Sequence, residues 1–172
     1  MKYFSMIAAA ALLLGSNVAF AQAPSDAQIA DIVLVADQVD INTGKLAETR
    51  GHSAEVRSFG KEMVTDHSAV NKQATALAKM LNLTPESSAT SRSLKDGGAA
   101  YLKELRKLHG TAFDKAYIDH EVTYHQQVID ALMNTLIPNA KNAQLKQLLQ
   151  TGLPIFQGHL DRAKEIQSKL GQ

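Results

Sequence analysis

Five ionisable residues of this 172-residue chain stand where the apolar seam of a helix should carry Leu or Ala. Asp40 follows Ile29, Val33 and Ala36 and precedes Thr43 and Ala47. His67 is at the centre of the run Val56, Gly60, Met63, His67, Val70, Ala74, Leu77, Leu81. Glu121 and His125 interrupt Ile118, Val128 and Leu132, and His159 lies within Leu145, Leu149, Gly152, Phe156, His159, Ala163, Ile166, Leu170. Residues recurring at three- and four-residue steps share one helix face. A buried carboxylate or imidazole is costly unless it is paired or bound to metal, so their recurrence in four stretches points to a shared buried polar site. Three imidazoles with one or two carboxylates suit a single zinc, iron, copper or nickel ion. A di-iron centre in a helical bundle draws Glu from two helices and Glu-x-x-His from the others. Val64 and Phe156 stand where that second motif would put its Glu, and only the third stretch pairs two donors, Glu121 and His125.

Each residue also has a plainer reading. A lone His on an apolar face can be a hydrogen-bonded core residue. Asp40 could accept from Tyr117 or Tyr124, and Glu121 could pair with Lys or Arg. Asp66, Asp119 and His120 adjoin the seam but point about 100° away on a helix, which makes them solvated or supporting residues. His52 and His109 sit beside glycines and suit helix ends. Met63, Met80 and Met133 are spaced as core residues, not as a copper store. HExxH, a nucleophile elbow and a Gly-rich phosphate loop are all missing from the sequence, so binding is favoured over enzymatic turnover. The competing expectation is a metal-free structural or stress-related interaction protein with a buried polar layer.

The elements that must position these residues read as helices. The chain has no Trp, few aromatics and no stretch with convincing strand alternation. Lys2, the apolar run to Leu14 and Ala19-Phe20-Ala21 have the layout of a secretory signal peptide over residues 1–21. This leaves 22–172 as one domain, expected in the periplasm. There is no Cys, which removes disulfides, thiolate ligands and a lipid-attachment site. Apart from Lys2, the basic residues balance the acidic ones, so no global field favours nucleic acid. Nothing after the leader is apolar for the roughly 20 residues that a membrane span requires.

Helix 1 is expected from Ser25 or Asp26 to about Arg50, ending at Gly51, and helix 2 from Ser53 to about Leu81. The short turn between them predicts an antiparallel hairpin. Thr84 to Gly98, with Pro85 and Gly97-Gly98, reads as an irregular crossover, followed by a short helix from Ala99 to His109. Thr111 with Asp114 resembles a capping box for helix 3, which should end near Ile137 ahead of Pro138. Asn139 should cap helix 4, and Pro154 should kink it. Along antiparallel helices rising about 1.5 Å per residue, Asp40 and His67 differ in depth by roughly 7 Å. Glu121 matches the depth of His159 better than His125 does. The expected fold is an all-α, ferritin-like, up-and-down four-helix bundle with a short extra helix in the crossover between helices 2 and 3.

The run Gly44-Lys-Leu-Ala47, the segment from Val56-Arg-Ser-Phe59 through Met63-Val-Thr-Asp-His67, Phe113-Asp-Lys-Ala-Tyr117, and Leu153-Pro with His159-Leu160 together resemble a bacterial exported family, domain of unknown function 4142. The resemblance covers nearly the whole chain after the leader. It implies a ferritin-like helical bundle and supplies no activity. The family's recurrent histidines match His67, His125 and His159, and Asp40 stands where the family usually has Glu. Family members are often labelled outer-membrane proteins, but this chain shows neither barrel strands nor a lipid-attachment Cys.

Overall fold

The structure is a computed structural model that describes residues 23–171. The leader expected at 1–21 lies outside them. The described residues form helices α1 (Asp26–Arg50), α2 (Ala54–Met80), α3 (Ala89–Leu105) and α4 (Gly110–Ala131). A five-residue π-helical turn (Leu132–Leu136) and a single turn, α5 (Ile137–Asn139), lead into α6 (Ala143–Leu170). There is no strand among the described residues.

Capping chemistry sets the ends of the first hairpin. The Ser25 hydroxyl accepts from Gln28 N, and the Gln28 side chain returns to Ser25 N, which completes a capping box. Ser53 accepts from Val56 N to start α2. The hairpin is tight because two glycines face each other across it. A Cβ on Gly44 would lie 2.8 Å from Gly60 O, and one on Gly60 would lie 2.7 Å from Glu48 N. Gly60 is thus a point of backbone approach.

Remote carboxylates clamp two of the turns. Asp114, expected to cap its own helix with Thr111, instead accepts from His52 N at 2.7 Å and Ser53 N at 2.8 Å, fixing the α1–α2 turn. Helix α4 begins after His109, whose side chain makes no cap hydrogen bond. At the opposite end, Asp26 accepts from Lys141 N and Asn142 N, both at 2.8 Å. Asn142 caps α6 through Gln144 N and Leu145 N. Asn139, the expected cap, donates to Thr135 O at 2.8 Å. Pro138 does not end the helical path at Ile137, because the π-helical turn precedes it and the proline falls in the first turn of α5, where its missing N–H is least costly. Helix α6 continues through Pro154.

The crossover departs most from the sequence reading. Helix α3 starts at Ala89, ten residues before the expected Ala99, with Ser88 and Ser91 forming its capping box, and it ends at Leu105. Gly97 and Gly98 are inside it. Gly98 lies against α1, where a Cβ would meet Val39 Cγ2 at 2.5 Å, so packing offsets its low helix propensity. Nothing in the structure explains Gly97. Met63 is buried as expected, whereas Met80 and Met133 are largely exposed and do not fill the core.

Helix α1 packs most extensively on α2, and α4 on α6; further contacts join α1 to α3 and α4, and α2 to α6. The resulting helical bundle has two apolar cores. One gathers Ile29, Val70, Ile129, Leu149 and Phe156; the other gathers Ala47, Met63, Phe59, Ile118 and Ala163. On α1, α2, α4 and α6 the buried ionisable residues other than Asp114 fall between these two sets, so they form a polar layer across the middle of the bundle. No helix among the described residues is long and apolar enough to cross a membrane.

Candidate metal centre

His67, His125 and His159 form a triangle, with ring centroids 5.6 Å apart for His67–His125, 5.2 Å for His67–His159 and 5.4 Å for His125–His159. All three are buried. Each contributes a donor nitrogen lying within 4.8 Å of the others. Three imidazole donors this close could share one transition-metal ion.

One nitrogen of each ring is engaged. His67 Nδ1 lies 2.8 Å from Asp37 Oδ1, His125 Nδ1 lies 3.0 Å from Glu121 O, and His159 Nε2 lies 3.0 Å from Asp66 Oδ2. The other nitrogens, His67 Nε2, His125 Nε2 and His159 Nδ1, are buried and find no hydrogen-bond partner within the protein. An oxygen acceptor on one imidazole nitrogen fixes the tautomer and leaves the lone pair of the other for a metal. A self-contained polar layer would be expected to pair such groups, because an unsatisfied buried polar atom costs about 1–3 kcal/mol.

The carboxylates gather on one side of the triangle. Asp40 Oδ2 lies 3.6 Å from His67 Nε2, and Asp40, Glu121 and His125 form a second cluster within 4.8 Å. Glu121 Oε1 accepts from Thr43 Oγ1 at 3.3 Å, while Oε2 lies 3.4 Å from His125 Nδ1 and has no hydrogen-bond partner. His120 approaches Glu121 at 3.9 Å and stacks on Tyr101 with centroids 3.6 Å apart. Glu121 therefore makes no ion pair with Lys or Arg among the described residues. Asp40 receives no bond from either tyrosine, since Tyr124 Oη donates to Ala36 O and Tyr117 Oη has no partner.

Burial governs the protonation of the layer. It lowers the His67 imidazole to about 3, with nearby His125 acting in the same direction. Burial also lowers His159, against the opposing effect of its hydrogen bond to Asp66. These histidines are thus neutral, the form that ligates metal. Burial raises the Asp37 carboxyl to about 8, partly opposed by His125. It raises Asp40 well above the usual carboxylate range, with Glu121 beside it adding to the effect. Burial raises Glu121 too, but the neighbouring His120 and His125 imidazoles outweigh it and lower this carboxyl to about 2.

All five expected site residues therefore lie in one layer. The sequence reading missed Asp37, which is 2% exposed and bonded to His67. The signal was present, because Val33, Asp37, Asp40, Gly44 and Ala47 alternate four- and three-residue steps as regularly as the seam drawn through Ala36. Asp66 is a supporting residue, half-exposed at the bundle surface, and Glu62 joins it and His159 in a third cluster. Asp119 holds Lys115 and Gln167 away from the centre.

A helical bundle with a buried histidine–carboxylate layer is the class this architecture defines. The chain belongs to the family with domain of unknown function DUF4142, which it matches over residues 15–166. No curated protein and no solved structure matches it.

Proposed function

We propose that the protein binds one transition-metal ion through His67 Nε2, His125 Nε2 and His159 Nδ1, with Asp40 and Glu121 completing or flanking the site. The observation that carries this reading is the set of three buried imidazole nitrogens without partners, each on a ring whose second nitrogen is held by an oxygen. Imidazole with carboxylate suits zinc, iron, copper or nickel. The protein's role in this reading is binding, not turnover. The ion would favour ionisation of Asp40, which burial otherwise disfavours.

The wider setting belongs to the same proposal. Residues 22–172 are read as a single ferritin-like domain in which α1, α2, α4 and α6 form the four-helix bundle and α3 is the extra helix of the crossover. The chain is read as exported by its signal peptide to the periplasm, without nucleic-acid partners.

Elemental analysis tests the binding. Protein purified from its native periplasm should carry close to one metal ion per chain, and the triple variant His67→Ala, His125→Ala, His159→Ala should carry none. Equal, near-zero metal in both proteins would overturn the reading.

A further inference from the structure

We propose that the groove between α1, α2 and α3 binds a single-chain amphiphile with an anionic head, a carboxylate or a phosphate. This inference goes beyond metal binding, because the groove lies on the face of α1 opposite Asp37 and Asp40.

The groove has a volume of about 840 Å³ and an apolar floor of Leu34, Val35, Val39, Ala76 and Leu102. Its polar side chains are of two kinds. Lys72 and Lys79 on α2 and Lys95 on α3 stand exposed along its edges, while Gln38, Asn42, Asn71 and Thr75 are neutral. Among the described residues no carboxylate lines the groove, and none of the three lysines makes an ion pair. Elsewhere Lys107, Lys115 and Lys169 each meet an acidic partner at 2.7 Å. In a chain whose charges otherwise nearly balance, three unpaired ammonium groups over one apolar floor are a local excess that an anion complements.

Contacts between the helices set two of these cations at one level. The Asn71 amide donates to Leu34 O at 3.4 Å, and Gly98 lies against Val39. Helix α3 runs in the same direction as α1, since Arg50 at the end of α1 donates to Arg106 O and Leu108 O just past the end of α3. Lys72 adjoins Asn71, and Lys95 precedes Gly98 by nearly one turn. The two lysines therefore flank Leu34 and Val35 from opposite walls at a similar depth. From this pair the apolar floor continues along Val39 and Leu102, so a head held between Lys72 and Lys95 leaves its chain on apolar surface.

Size and charge decide the occupant. Fourteen residues line the groove, and its α2 edge from Asn71 to Lys79 is about 12 Å long. A stable protein partner covers about 20–30 residues a side, whereas the volume falls within the roughly 300–1,000 Å³ usual for small-molecule sites. A cationic head would face three ammonium groups, and an uncharged one would leave them without counter-charge.

The test is calorimetric titration of the protein in buffer containing chelator, with decanoate, decyl phosphate, 1-decanol and decyltrimethylammonium below their micelle-forming concentrations. One saturable site is expected for decanoate or decyl phosphate, at least about tenfold tighter than for the alcohol or the ammonium, and the tighter anion identifies the head. Added salt should weaken it. The pair Lys72→Gln, Lys95→Gln should weaken anion binding by about tenfold or more, whereas Lys61→Gln, Lys141→Gln, which removes the same charge outside the groove, should not. Ala76→Trp, at an exposed position of the groove, should weaken binding by filling it while keeping the helical circular dichroism. If that variant does not fold, the exposed Ala99→Trp gives the same readout. Absence of saturable anion binding, equal or tighter binding of the alcohol or the ammonium, equal weakening by the control pair, or undiminished binding in either folded groove variant would overturn the proposal. All titrations use metal-free protein, so these outcomes are independent of the metal content that tests the histidine site.

Discussion

Asp66 Oδ2, on α2, lies 3.0 Å from Nε2 of His159 on α6, and the Nδ1 of that ring is buried without a partner. A half-exposed carboxylate thus orients a buried imidazole across a helix interface. Carboxylates in this position fix the tautomer and raise the basicity of a metal-binding histidine. Asp66→Ala should lower metal affinity by about 10–100-fold and leave the helical content unchanged, as read by chelator competition and circular dichroism. Unaltered affinity would remove Asp66 from the site.

His67→Leu should abolish high-affinity metal binding, but its effect on apo stability depends on Asp37. The single substitution strands Asp37 Oδ1, the partner of His67 Nδ1, and should cost about 1–3 kcal/mol in urea unfolding. The double variant His67→Leu, Asp37→Leu removes both polar groups. It should recover that loss, because apolar replacement of a buried polar pair is often neutral or stabilising. A double variant less stable than the single would show that the pair itself holds the helices in register.

Metal addition should raise the melting temperature of the wild type. An ion at a hundredfold its Kd adds about 2.7 kcal/mol, which for a domain of this size corresponds to roughly 5–11 °C. The triple His→Ala variant should not respond. Differential scanning calorimetry with zinc and then with excess chelator reads both proteins.

The apo protein should lose stability as pH rises from 6.5 to about 8. Burial raises the folded-state Asp37 carboxyl from 3.8 to about 8, so its contribution is complete below the unfolded value and is lost as pH rises through the folded one. His67 has the opposite sign. Its folded value is lowered from 6.5 to about 3, so its contribution is complete above 6.5 and is lost as pH falls through about 3. Urea unfolding between pH 6.5 and 8 therefore excludes His67. Asp40 acts there in the same direction as Asp37 because burial raises it too, and Asp37→Asn should reduce the slope without abolishing it.

The close approach of α1 and α2 should not accept a methyl group. Gly60→Ala places a Cβ 2.7 Å from Glu48 N and 2.8 Å from Ala47 Cβ, and overpacking of this kind costs about 1–3 kcal/mol. Chemical denaturation should show that loss, although alanine is the better helix former.

The sequence by itself determined the helices that hold the site and most of the site's members. The three- and four-residue steps around His67, His125, His159, Glu121 and Asp40 place each residue on a buried face, because periodicity is a property of one helix. Ser25, Ser53 and Gly51 likewise marked local ends through local hydrogen bonds. Only the tertiary structure decided the partners. Asp114 caps a turn whose amides belong to His52 and Ser53, Asp26 clamps Lys141 and Asn142, and Asp37 and Asp66 hold imidazoles on α2 and α6. The first ten residues of α3, ahead of the expected start at Ala99, were hidden for the same reason. The propensities of Gly97 and Gly98 argue for a loop, and the contact of Gly98 with Val39 that offsets them lies on another helix. Which imidazole nitrogens remain free is decided by how α1, α2, α4 and α6 rotate against one another, and the linear spacing of residues does not encode that rotation.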